Sequence, residues 1–262
     1  MAEWLRTPAG RYLLAWEQQV LDRAVVDLFG FHALQLGLPE LDALRANRMP
    51  HRWVAGGEGQ QPAASPSGLT AVALRCDFDA LPLDSHSLDL VVLPHSLELA
   101  RDPHQTLREV ERVLRPEGRV VIVGFNPASL WGLRQRLGSM RRGMLTGGRG
   151  ASFLPSTGEF IGYRRLRDWL QLLSFEVEAG RFGCYRPPLG SDQWLARFEW
   201  IEPLGDRWWP VFGAVYSLTA VKRVRGMRLV GLVRDQRLKP KAVPAVVAQH
   251  QSGIQPHLDE VA

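Results

Sequence analysis

The sequence predicts an α/β fold built on a mostly parallel sheet. Two apolar runs, Leu88–Leu93 and Val120–Phe125, are rich in β-branched residues and apolar on both faces, as strands buried between helix layers are. The segment between them has helix signals at both ends. Asp102 is a good N-cap, Pro103 falls at the first helical position, Gln105 completes a capping-box-like pattern, and Pro116 and Gly118 stop the helix. Leu107, Val110, Val113 and Leu114 form one stripe at helical spacing. Strand, helix, strand at this spacing is a βαβ unit, which requires parallel strands.

From the N-terminus, Trp4 to Phe29 is expected to be a helix with Leu13, Leu14, Leu21, Val25 and Leu28 on one face; Pro8 and Gly10 limit its start. Phe31–Gly37 is the expected first strand, Leu41–Asn47 a short helix, His51–Val54 a second strand and Ala71–Arg75 a third. The Gly/Gln/Pro/Ser-rich stretch up to Gly68 reads as an exposed loop. Leu130–Gly150, rich in Arg and Gly, reads either as a helix with a lid or as a surface loop, and the loop is preferred. Arg164–Leu173 is an expected helix leading into a strand at Phe175–Val177. Trp194–Trp209 is a Trp-rich insertion before a last strand at Val215–Arg223. One domain is therefore expected over residues 1–234. Residues 235–262, with Pro240, Pro244, Gln249–Gln251 and Pro256, have the composition of a disordered tail.

Composition narrows the function. A chain of 262 residues, 45% hydrophobic and 23% charged, suits one soluble α/β domain with additions. The N-terminus MAEWLRTPAG lacks a basic segment leading into an apolar core, and no apolar run reaches about 18 residues. A cytoplasmic protein with no membrane span is expected. Cys76 and Cys184 form no metal-ligand spacing and read as reduced, buried thiols; no metal is expected. The net charge is +5, but basic residues are spread out and never form a dense run interleaved with aromatics. That gives nucleic-acid binding little support. No Gly-x-Gly-x-x-Gly follows a predicted strand, which argues against a nicotinamide-dependent dehydrogenase.

Cys76 to Pro127 carries a resemblance. Asp77, then Asp79-Ala80-Leu81-Pro82-Leu83, Leu88-Asp89, Leu97-Glu98-Leu99, Asp102-Pro103, Glu109 to Leu114 and Pro116-Glu117-Gly118 occur in order over about fifty residues. This pattern resembles the second half of the class I S-adenosylmethionine (SAM)-dependent methyltransferase domain, of the ubiquinone-biosynthesis-like type 11 group. The resemblance implies a Rossmann-like fold, SAM as cofactor and methyl transfer to an unidentified, small-molecule substrate. It implies that the Asp77 carboxylate accepts from the adenine amino group while the Phe78 amide donates to the ring; a turn-forming Asp77 is the alternative. Ligands of such sheets bind at the carboxyl ends of the strands near the switch in strand order. The expected cofactor residues are therefore Gly37, Asp77, Phe78, Leu81, Pro94 and His95. Asp79, Asp84 and Asp89 are expected to be turn-forming or capping.

Two polar residues at strand mouths are catalytic candidates. His95 has a suitable ordinary pKa for a general base, although a neutral His in a satisfied hydrogen bond is the commoner outcome at such a position. Asn126 could hold a substrate carbonyl or hydroxyl, or shape a turn with Pro127. The pattern departs from the family at the first strand. Gln35 stands at the family's acid, only Gly37 of its glycine-rich turn survives, and Pro39 and Leu41 replace later glycines. Glu58 is the candidate for the family's ribose-binding acid, or part of an exposed loop. These departures keep open a non-catalytic, regulatory descendant of the fold; net charge alone keeps open an RNA-associated methyltransferase.

The tail composition cannot build a core. Truncation after about residue 238 should leave the thermal midpoint nearly unchanged, and a large fall by circular dichroism would show that the tail docks on the domain.

Overall fold

The computed structural model describes residues 1–57, 72–144, 153–155 and 158–223, without the side chains of 139–144. Glu58, most of the Gly/Gln/Pro/Ser-rich stretch and the expected tail lie outside the described residues.

The N-terminal helix is two helices, α1 (Ala2–Leu5) and α2 (Pro8–Val25). Thr7 causes the break: its hydroxyl accepts from Gly10 N at 3.1 Å, and Pro8 opens the second helix. Then come β1 (His32–Leu36), β2 (His51–Gly56), β3 (Val72–Arg75), β4 (Leu88–Pro94), α3 (Ser96–Leu99), α4 (Pro103–Val113) and β5 (Leu114–Phe125). The second half holds α5 (Leu130–Met144), α6 (Tyr163–Leu172), β6 (Phe175–Gly183), α7 (Asp192–Arg197), α8 (Ile201–Trp208), a 3₁₀ turn at Pro210–Phe212 and β7 (Val215–Lys222). The seven strands form one sheet in the order β3-β2-β1-β4-β5-β7-β6. β7 runs antiparallel to both neighbours, and the other pairs are parallel. The order reverses between β1 and β4, which is where such a sheet opens a crevice.

Apolar character on both faces of the strands has its expected cause. Val91 and Leu93 of β4 pack with Leu107 and Val110 of α4 and Leu166 of α6. Leu90 and Val92 pack on the opposite side with Leu13 and Leu21 of α2. Asp102 caps α4, accepting from His104 N at 2.9 Å and Gln105 N at 3.1 Å. Cys76 and Cys184 are both buried, and neither is in a disulfide.

Two expectations fail. Leu41–Asn47 forms turns rather than a helix, because side chains take over its backbone. Ala43 N donates to Gln35 Oε1 at 2.9 Å, and Met49 N donates to Asn47 Oδ1 at 2.9 Å. Leu130–Met144 is a helix rather than the preferred loop. Ser129 starts it, its hydroxyl accepting from Gly132 N at 3.1 Å. Trp131 then anchors it, fully buried beside Trp4, Tyr12 and Phe153.

Candidate active site

The carboxyl ends of β1, β2, β3 and β4 bring several expected site residues together. Gly37 leaves β1 with φ 76°, and Leu38 follows at φ 43°, so the turn is left-handed at two successive residues. A Cβ on Gly37 would lie 3.0 Å from Ser96 Oγ and 3.5 Å from the Phe78 ring; one on Gly57 would lie 3.7 Å from the same ring. Phe78 therefore packs its ring against two glycines at the ends of β1 and β2. Asp77 is exposed, with Oδ1 accepting from Asp79 N at 3.2 Å.

The loop after β3 is held from α4. Glu109 Oε2 accepts from Leu81 N at 3.1 Å, while Arg112 donates to Leu81 O at 2.9 Å and Leu83 O at 2.8 Å. Arg112 and Glu109 also pair at 2.8 Å, and this hydrogen bond holds the Glu109 carboxyl below its usual range. Asp79 accepts from Thr106 Oγ1 at 2.7 Å. The Glu-x-x-Arg pair at the helix end is thus a clamp on Leu81 and Leu83, in the loop that follows Asp77 and Phe78. Asp89 is structural, as expected, accepting from Phe31 N at 2.8 Å and His32 N at 2.9 Å.

Gln35 explains the departure from the glycine-rich turn. Its buried Nε2 faces the carbonyls of Gly37, Leu38 and Leu41 at 3.1, 3.0 and 2.8 Å, and Oε1 accepts from Ala43 N. Two amide hydrogens are shared among three carbonyls. A carboxylate at this position would put an anionic oxygen against three carbonyl oxygens with no proton between them. The loss of the acid and the rebuilding of the turn around Pro39 and Leu41 are one change.

Both catalytic candidates have hydrogen-bond partners within the core. His95, in the left-handed region at φ 54°, is fully buried. Its Nε2 meets Glu17 Oε1 at 2.6 Å and its Nδ1 meets Glu98 Oε2 at 2.8 Å. Burial pulls its pKa down, but the charges of Glu17 and then Glu98 outweigh it and push it up to about 10. Both ring nitrogens thus face carboxylates in the core. Burial pushes Glu98 up, against the pull of His95. Asn126 is also buried, donating to Val211 O at 2.6 Å and Gly213 O at 2.9 Å and accepting from Ala128 N at 3.1 Å. Its amide ties the end of β5 to the turn before β7. Pro94 ends β4 inside the core and presents its carbonyl 3.3 Å from Ser96 Oγ. Among the described residues no group of His, Cys, Asp and Glu could hold a metal ion.

Sequence reasoning missed Glu17 and Ser96. Glu17 lies on the same helical face as Leu13, Val20 and Leu21 and is wholly buried. An acid on an apolar stripe was the available signal. Ser96 donates to Leu36 O, joining the mouths of β1 and β4; nothing in its sequence context marks it.

A seven-stranded sheet of this order, with an exposed acid after β3 beside the β1–β4 crevice, defines the fold of the class I methyltransferases. The comparisons agree. A family model described as a methyltransferase domain matches residues 58–122. The protein YafS of Escherichia coli strain K12 is 32% identical over 68% of this chain and 67% of its own length. A malonyl-[acyl-carrier protein] O-methyltransferase of Laribacter hongkongensis is 32% identical over 45% of this chain and 40% of its own. The ubiquinone/menaquinone biosynthesis C-methyltransferase UbiE of Hahella chejuensis is 38% identical over 20% of this chain and 21% of its own. A chain from the complex of the Haloferax volcanii Trm112 methyltransferase activator with a methyltransferase superposes with a TM-score of 0.55 at 16% identity, over 86% of this chain and 96% of that one. A SAM-dependent methyltransferase from Mesorhizobium loti gives 0.51 at 17%, over 78% and 97%. At these identities the structural likeness is one of fold. The chain belongs to the type 11 group of class I SAM-dependent methyltransferases.

Two variants test the buried network and the turn. The stabilisation from protonated His95 is complete below its ordinary pKa of 6.5 and is lost as pH rises through about 10. The thermal midpoint should therefore fall over that window. Glu17→Gln should move the fall to lower pH, and a midpoint without this dependence would show a neutral ring. Gln35→Leu should cost roughly 3 kcal/mol in denaturant unfolding, because it strands buried carbonyls and an amide.

Proposed function

We propose that this methyltransferase binds SAM across the ends of β1 to β4 and methylates a small molecule in the cytoplasm. The observation that carries the reading is the exposed Asp77 carboxylate after β3, next to Phe78, whose ring lies against Gly37 and Gly57; the loop that follows is braced at Leu81 and Leu83 by Glu109 and Arg112. These residues fit the adenosine half of the cofactor. Asp77 would accept from the adenine amino group, the Phe78 amide would donate to the ring, and Leu81 would contribute apolar surface. Gly37 and Gly57 carry no side chain where the strands end, which lets the Phe78 ring lie against both at the base of the proposed adenosine site. The methionine half is met by a turn unlike the family's, because the Gln35 amide is occupied by the turn itself.

Bound SAM supplies a methyl group already activated by its sulfonium. The chain's part is then to position the acceptor and exclude water. With His95 and Asn126 committed to structure, neither serves as the base, which suits an acceptor that needs none from this pair.

A non-catalytic reading rests on the same turn. Ser96 and Phe78 crowd Gly37, and the Gln35 carboxamide fills the space behind the loop. Calorimetric titration of the full chain separates the two readings. SAM should bind with a Kd on the order of 10–1000 μM, about −7 to −4 kcal/mol, with S-adenosylhomocysteine competing. Asp77→Ala should weaken binding by roughly 1.5–3 kcal/mol. No heat and no thermal shift up to millimolar SAM would favour the non-catalytic descendant; unchanged affinity in a folded Asp77→Ala variant would remove Asp77 from the site.

A further inference from the structure

Outside the cofactor crevice, one face carries apolar side chains without a partner. Leu130, Leu133 and Leu137 follow one another along α5 at helical spacing and are 54%, 51% and 52% exposed. Leu130 and Leu133 line two cavities at once. One, of about 820 Å³, runs toward Trp4, Leu137 and Pro188. The other, of about 550 Å³, is closed by Ile201, Gly205, Trp209 and Phe212 of the Trp-rich insertion. Trp209 and Phe212 are themselves 60% and 54% exposed. The insertion and α5 therefore present one apolar face with a trough on either side of the helix.

Charge along α5 has one sign, and on the insertion the acids Asp192 and Glu199 are paired with Arg11 and Arg186. From Gly118 to Gly158 the sequence contains no Asp or Glu, while α5 carries Arg134, Arg136, Arg141 and Arg142. The acids of α8 point elsewhere: Glu202 and Asp206 line a separate cavity with Trp16 and Arg23. Ile201 and Gly205, one residue before each, face the trough. A helix with leucines on one side, arginines around it and aromatic residues alongside suits the boundary between lipid headgroups and acyl chains. No helix among the described residues is long and apolar enough to cross a membrane, so such contact would be interfacial.

We propose that the face formed by α5 and residues 192–212 docks on an anionic phospholipid bilayer. Leu130, Leu133, Leu137, Trp209 and Phe212 enter the headgroup boundary, and Arg134 and Arg136 of α5 meet lipid phosphates.

The test is sedimentation of the full chain with vesicles of phosphatidylcholine containing about one third phosphatidylglycerol. The chain should pellet with these vesicles, and less with phosphatidylcholine alone or in high salt. Leu133→Glu, and separately the double variant Trp209→Ser/Phe212→Ser, should each reduce partitioning by about tenfold or more. Circular dichroism and thermal midpoints check that both remain folded. Leu172→Glu alters a residue 84% exposed on α6 that lines neither trough, and it should partition like the parent. Three results would overturn the proposal: no pelleting with anionic vesicles, pelleting unaffected by either face variant, or a dimer in lipid-free solution that Leu133→Glu disperses. The last would make the face a contact between copies.

Discussion

A protonated histidine between two buried carboxylates ties the molecule together. Glu17 comes from α2, His95 from the mouth of β4 and Glu98 from α3, and Glu98 also accepts from Phe125 N at the end of β5. The Phe125 ring lies 4.4 Å from the imidazole. One small cluster thus fixes the N-terminal helix, the switch point of the sheet and the strand beyond it. Taking these charges out of water is costly, and the arrangement holds because each imidazole nitrogen meets a carboxylate at short range. The cluster also sets its surroundings. Burial, and then the Glu17 charge, push the neighbouring Cys184 thiol well above its ordinary pKa, which keeps it protonated and inert.

The parallel half of the sheet was readable in the sequence because its signals are local. β-branched runs, the Asp102 cap and the stripe on α4 lie within a few residues of what they determine. The helix α5 was misread because Gly132, Gly138 and Gly143 look like loop residues. The countersignals, Ser129 as cap and Trp131 as anchor, act through contacts with Trp4, Tyr12 and Phe153 far away in the chain. The partners of His95 and Asn126 were hidden for a related reason. A polar residue at a strand mouth looks the same in sequence whether its partner is a ligand or a carboxylate 78 residues distant.

The first turn shows how a family fold can keep its frame while a local motif is rewritten. The family pattern asks for an acid and glycines; this chain has a carboxamide that satisfies the carbonyls of its own loop. A turn braced from within does not need glycine at each position, so Pro39 and Leu41 are tolerated. The clamp from Glu109 and Arg112 preserves the other side of the crevice. The two sides are braced by different hydrogen bonds and meet where the Phe78 ring lies against Gly37.

The position of β7 bears on how the chain is made. It is the last strand among the described residues, yet it lies between β5 and β6 and bonds to both along nearly its whole length. As the polypeptide leaves the ribosome, β5 and β6 therefore emerge with no bond between them, each offering an open edge until residue 222 has been translated. During that interval the tryptophans of α7 and α8 are already outside, on a segment with nothing to anchor its far end. Synthesis that stops before residue 215 leaves a gap in the interior of the sheet rather than a missing margin.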